Sequence, residues 1–158
     1  MPPTSTLSRS RLPSTALPKV VASSPASLAK GSPSSPAVVL LVDDDVSVLR
    51  SVGRVLETEG WRVVSAQSGE QALECLAEHE PNLMITDLCM AEVSGWDLLF
   101  HVKLQRPDLP IFVITALPPS SAGGADNFAT GFFQKPLNFD VMLTSIRRSL
   151  TESKATRD

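Results

Sequence analysis

The sequence predicts an α/β domain built on a doubly wound, five-stranded parallel sheet. Three observations predict it. From residue 37 onward, short apolar runs alternate with stretches of helical periodicity. The central runs are continuously apolar, as strands buried on both faces must be. The intervals between runs are long enough for helical crossovers, which parallel pairing needs.

The elements follow in order. "VVLLV" (38–42) predicts the first strand. In "DDDVSVLRSVGRVLETEG", Leu49, Val52 and Leu56 recur at helical spacing, and Gly60 is the stop. "WRVVSA" (61–66) is the second strand. A helix over 68–80 is capped by Ser68 and ends before Pro81. "NLMIT" (82–86) is the third strand, and "GWDLLFHVKLQ" (95–105) the next helix. "IFVIT" (111–115) is the fourth strand. Residues 116–130 carry two prolines and two glycines and allow at most one short helix, around 120–128. "FFQK" (132–135) is the fifth strand. A closing helix over 138–150 has Asn138 as its cap and Met142, Ile146 and Leu150 on one face. The polar tail 153–158 is expected to fray. Right-handed crossovers put helices on both faces of the sheet, with ligands at the carboxyl ends of the strands.

Residues 1–36 differ in kind. They hold ten serines and seven prolines, four basic residues, no acid and no aromatic residue. Such a segment buries too little apolar surface to offset its chain entropy, so a disordered tail is expected. The same composition is found in organelle transit peptides. The rest of the chain carries ten bases against seventeen acids, which makes the folded part acidic and a poor non-specific binder of nucleic acid. Cys75, Cys89, His79 and His101 lack zinc-site spacing, and two isolated cysteines fit a reducing cytoplasm. No apolar run approaches the ~20 residues that span a bilayer.

The predicted strand tips hold the chemistry. Strand 1 runs into Asp43, Asp44 and Asp45, strand 3 into Asp87, strand 4 ends in Thr115, and strand 5 in Lys135, followed by Pro136. A single acid at a strand end is ordinarily a loop acid or a helix cap, and Asp45 fits the cap. Several polar residues delivered to one edge of one sheet are a different matter. Two carboxylates ~4 Å apart repel by about 4 kcal/mol at an effective dielectric near 20, so a cation or proton must sit with them. Hard oxygen donors suit Mg²⁺, which takes one or two carboxylates and keeps its waters. Carboxylates can act as nucleophiles toward phosphorus and form aspartyl-phosphates. A lysine and a hydroxyl on neighbouring tips could hold the other phosphoryl oxygens.

The ordered set "LLVDDD … ITDLCM … SG … IFVITA … FFQKPL" resembles the receiver domain of two-component response regulators, over about residues 37–152. The resemblance implies a flavodoxin-like fold with strand order 2-1-3-4-5. It implies Asp87 as phosphoacceptor. It implies Mg²⁺ held by Asp44, Asp87 and the backbone carbonyl of Cys89, with Asp43 acting through a metal-held water. Thr115 and Lys135 would contact the phosphoryl group, and Phe132 would be the switch aromatic. The phosphodonor would be a sensor histidine kinase or phosphotransfer protein, and the output a downstream protein target. Such a chain is a phosphoacceptor rather than an enzyme, binds no nucleic acid or membrane, and is a monomer or a weak phosphorylation-dependent homodimer.

The sequence departs from its relatives in places. Ala91 stands where the family usually has proline, which frees one φ in the loop after Asp87. Cys89 and Leu117 flank the expected phosphoryl position, and neither is suited to orient water, so a long-lived phosphorylated form is expected. No output motif follows residue 150, so a stand-alone receiver or a piece of a longer chain is expected. Rival readings are a pseudo-receiver working without phosphorylation and a haloacid-dehalogenase-like phosphatase. The second needs a D-x-D-x-T run that "DDDVS" lacks. A phosphohistidine carrier built on His101 has only a lone histidine to support it.

Overall fold

The computed structural model describes residues 35–118, 121, 124 and 127–157. The expected tail 1–36 lies almost wholly outside these residues, as does most of the short helix expected over 120–128. Nine elements are described: β1 (Val38–Val42), α1 (Val46–Thr58), β2 (Arg62–Ala66), α2 (Gly69–His79), β3 (Leu83–Asp87), α3 (Gly95–Gln105), β4 (Ile111–Thr115), β5 (Gly131–Gln134) and α4 (Phe139–Arg157). The strands form one parallel sheet in the order β2-β1-β3-β4-β5. This is the predicted fold class, with four α-helices among the described residues.

Alternation along each strand divides the core into two layers. On one face Leu40, Val42, Met84 and Val113 pack with Leu76 of α2 and Leu98, Leu99 and Val102 of α3. On the other, Val39, Leu41, Ile85 and Ile114 pack with Leu49, Val52 and Leu56 of α1 and Met142 and Ile146 of α4. Every residue of β3 and β4 is buried, whereas the edge strands β2 and β5 are largely half-buried. The continuous apolar runs of the central strands therefore have the cause assigned to them from sequence.

The caps agree with the sequence. The Asp45 carboxylate accepts from Ser47 N, the Ser68 hydroxyl from Gln71 N, and the Asn138 side chain from Val141 N. Gly60, just past α1, takes the left-handed φ of +81° that glycine adopts freely.

Three boundaries differ from expectation. β3 includes Asp87 itself, and β5 ends one residue earlier, so Lys135 is the first residue beyond it. Of the tail expected to fray, residues 153–157 are helical, since α4 continues to Arg157, and residue 158 lies outside the described residues. Nothing in "TESKATR" stops a helix, since Glu152, Lys154, Ala155 and Arg157 are good helix formers and Arg148 pairs with Glu152 one turn on. Further back along the helix, α4 is tied to the end of α1 by a two-pronged pair, Arg147 Nε and Nη2 on the Glu59 carboxylate at 2.6 and 2.7 Å. The guanidinium's hydrogen bonds hold the Glu59 carboxyl below the usual range.

Gly95 does more than start α3, the role its position in the sequence predicts. A Cβ there would stand on the Asp87 carbonyl oxygen and 2.6 Å from Leu88 Cα, both backbone atoms with nowhere to go. Its own N–H donates to Leu88 O at 3.2 Å. Gly95→Ala is expected to cost about 1–3 kcal/mol, the range for overpacking, read as a lower urea midpoint with an unchanged slope.

Candidate functional site

The registers bring the strand tips together. Val42 lies opposite Thr86, so Asp43 and Asp87 are neighbours one step on. Asp87 lies opposite Ile114, which places Thr115 one step further on the next strand. Thr115 lies opposite Gln134, and the chain then enters Lys135. Lys135 N donates to Thr115 O at 2.9 Å, which extends the ladder to the lysine itself. The Lys135–Pro136 peptide bond is cis. This edge is where the strand order reverses between β1 and β3, the usual position of a site in an open α/β sheet.

Lys135 is the centre of the network. Its Nζ donates to Asp87 Oδ2 at 2.8 Å and to Asp43 Oδ2 at 3.1 Å. Both carboxylates are buried, Asp43 at 2% exposure and Asp87 at 6%. Their other oxygens are taken by backbone: Asp43 Oδ1 accepts from Asp45 N and Asp87 Oδ1 from Cys89 N, each at 2.9 Å. No buried side-chain polar atom among the described residues lacks a partner.

The charges respond to this setting. Burial is the largest influence on Asp43 and raises its carboxyl above the usual range, against the lowering effect of the Asp45 N–H and Lys135. For Lys135 burial is again the largest single influence and pushes the ammonium down. The hydrogen bonds and charges of Asp87 and Asp43 together outweigh it, and the net shift is upward. The lysine thus stays protonated as the counter-ion of two acids.

The remaining predicted residues lie around this core. Asp44 is exposed, and its Oδ2 accepts from Ala91 N at 3.2 Å, which ties the β1–α1 turn to the loop after β3. Thr115 is buried, and its Oγ1 accepts from Leu117 N at 3.1 Å. Cys89 is exposed beside Asp87. Phe132, the expected switch aromatic, lies on β5 two residues before Gln134, half-buried against the α2/α3 layer. Sequence reasoning missed the Asp43–Lys135 bond, the Asp44–Ala91 bond and the close approach of Gly95. Only the glycine left a signal, as a small residue at a helix start soon after Asp87.

The donor set fits a hard divalent cation: Asp44 and Asp87 offer carboxylate oxygens, and Asp43 stands next to them. Among the described residues no group of three or more His, Cys, Asp or Glu side chains forms a metal cage. Mg²⁺ needs no such cage, because it keeps most of its waters and takes one or two carboxylates. No helix among the described residues is long and apolar enough to cross a membrane.

Comparison with known proteins agrees with the fold. The family described as "Response regulator receiver domain" matches residues 39–147. The chain is 33% identical over 125 residues to the transcriptional regulatory protein GlrR of Escherichia coli (strain K12), covering 78% of this chain and 28% of GlrR. It is 32% identical over 122 residues to the response regulator MprA of Mycobacterium ulcerans (strain Agy99), covering 76% of this chain and 53% of MprA. It thus spans about half or less of these relatives. Among solved structures, a CheY-like response regulator receiver domain protein from Methanospirillum hungatei JF-1 superposes with a TM-score of 0.72 at 27% identity, covering 77% of this chain and 99% of that one. Strand order and family match converge: the chain belongs to the response regulator receiver domain family of two-component systems.

Proposed function

We propose that this chain is a phosphorylation switch with Asp87 as its phosphoacceptor. The observation that carries the reading is the hydrogen-bonded Asp43–Lys135–Asp87 cluster at the carboxyl edge of the sheet. In this reading an Asp87 carboxylate oxygen attacks phosphorus on a phosphohistidine of a sensor histidine kinase or phosphotransfer protein. The O–P bond forms, the P–N bond breaks, and the electron pair leaves with the histidine nitrogen. Lys135, already on Asp87, offers its ammonium to the incoming phosphoryl oxygens, and Thr115 adds its hydroxyl. Asp44, Asp87 and the Cys89 carbonyl would hold Mg²⁺, with Asp43 bound through water. When bound there, the metal would neutralise charge on the phosphoryl oxygens.

The switch in this reading starts at Thr115. Its Oγ1 accepts from Leu117 N, which leaves its O–H to donate to a phosphoryl oxygen once the side chain is drawn inward. Phe132, half-buried two residues before Gln134, then repacks and changes the face that a downstream protein target reads. A cytoplasmic location, and a monomer or weak phosphorylation-dependent homodimer, belong to the same reading.

The test is to incubate the purified chain with acetyl phosphate, with Mg²⁺ or with excess EDTA. We expect a single label on Asp87 with Mg²⁺ and a loss of at least ~10²-fold in rate with EDTA, reflecting removal of the metal's charge stabilisation. The label should last minutes or longer, because neither Cys89 nor Leu117 orients a water. Decay within seconds would rule out that lifetime. Absence of label in both arms would favour a binding module that works without phosphorylation.

A further inference from the structure

We infer that Gly69 and Val93 form a steric lock that positions the loop after the phosphoacceptor. The inference rests on the phosphoacceptor reading above, and it concerns two residues outside the acid–lysine cluster.

The loop over residues 88–94 carries Cys89, whose N–H holds Asp87 Oδ1, and Ala91, whose N–H holds Asp44 Oδ2. It therefore connects to two of the acids at once. It is short of support in its middle. Cys89, Ala91 and Glu92 are exposed, and a cavity of about 310 Å³ lies between residues 90–93 and 67–69, with Asp44 at its border. Alanine at position 91 also leaves the loop without the φ restraint that proline would give.

The loop is fixed at its two ends instead. At the inner end Gly95 lies so close to the Asp87 carbonyl and Leu88 Cα that a Cβ there would stand on them. At the outer end the chain meets α2 at its first residue. A Cβ on Gly69 would lie 2.9 Å from Val93 Cγ1 and 3.0 Å from Val93 Cβ, so the glycine leaves only the room that the valine fills. The N-terminus of α2 is itself capped on both sides, with Ser68 Oγ accepting from Gln71 N and Gln71 Oε1 accepting from Gln67 N. A fixed helix start thus serves as the abutment, and Val93 transmits its position to the amides on Asp87 and Asp44. Gly69 and Val93 are positioning residues: they act through the loop and touch neither acid in any hydrogen bond.

Gly69 has no left-handed φ, and alanine is a better helix residue than glycine, so Gly69→Ala should strengthen α2 unless Val93 blocks it. With the lock, the added methyl pushes Val93 and the loop outward.

The experiment measures amide hydrogen exchange at Cys89 and Ala91 in the metal-free, unphosphorylated protein, together with labelling by acetyl phosphate. Gly69→Ala should speed exchange at both amides about tenfold and slow labelling by a similar factor. Gly69→Ala with Val93→Ala, which gives the methyl space, should restore both toward wild type. Val93→Ala alone should loosen the loop without displacing it and fall between. Unchanged exchange in Gly69→Ala, or no recovery in the double variant, would overturn the lock. Exchange is read without phosphorylation, so absence of wild-type labelling would count against the phosphoacceptor reading while leaving the exchange result to decide the lock.

Discussion

Asp87→Asn is expected to abolish labelling by acetyl phosphate, a loss of at least ~10⁴-fold, while the domain stays folded. An amide has the shape of the carboxylate but is not a nucleophile toward phosphorus. The variant's fold should survive because opposing changes nearly cancel. The substituted side chain loses one hydrogen bond, since its NH₂ must face either Cys89 N or Lys135 Nζ, both donors. Against this, a buried charge and its repulsion with Asp43 are removed. Each side is worth about 1–2 kcal/mol, so the net change should lie within ~1 kcal/mol. Intact-mass spectrometry reads the label, and circular dichroism through a urea titration reads the fold. A labelled variant would place the phosphoryl group on another residue and sink the assignment.

The features legible in the sequence share one property: their causes are local or periodic. The strands β1, β3 and β4 announce themselves as apolar runs because they are buried on both faces. Ser68, Asp45 and Asn138 are readable as caps because a cap acts within three residues of itself. The site residues are readable by position, since each is the polar residue that ends or follows a strand. What stays hidden depends on contacts between segments far apart in the chain. Lys135 reaches Asp43 across 92 residues, and Ala91 reaches Asp44 across 47. No pattern in "QKPL" states how many acids the lysine will meet. Gly95 and Gly69 are required by space rather than by backbone angle, and space is set only when α2, α3 and the loop are in place. The end of α4 departs from expectation for another reason: polar composition suggests fraying, yet the residues after Leu150 include good helix formers and no breaker.

Lys135→Met should both slow phosphorylation and destabilise the domain, and the pH dependence of the second effect shows why. The variant keeps an apolar stem of similar length but leaves Asp43 and Asp87 facing each other without their shared cation. Loss of a charge aimed at the phosphoryl oxygens is expected to cost ~10²–10³-fold in labelling rate. Stability at neutral pH should fall by about 2 kcal/mol. That is less than the roughly 3–5 kcal/mol typical of a broken buried pair, because the lysine side chain is 25% exposed and water can partly replace it. In the wild type the folded pKa of Lys135 is raised, so its contribution is fully present below the unfolded value of ~10.4 and is lost as pH rises through the higher folded value. Asp43 is raised as well, so it opposes folding as pH rises through and above the carboxylate range. Without Lys135 its carboxyl loses a lowering influence and rises further, and the opposition grows. The deficit of the variant should therefore be largest between the carboxylate and lysine ranges. It should shrink in acid, where Asp43 is protonated, and again above the raised lysine value, where the wild type loses its cation too. Urea midpoints of both proteins across pH trace this hump. A deficit independent of pH would instead assign the lysine's effect to the packing of its stem and not to its charge.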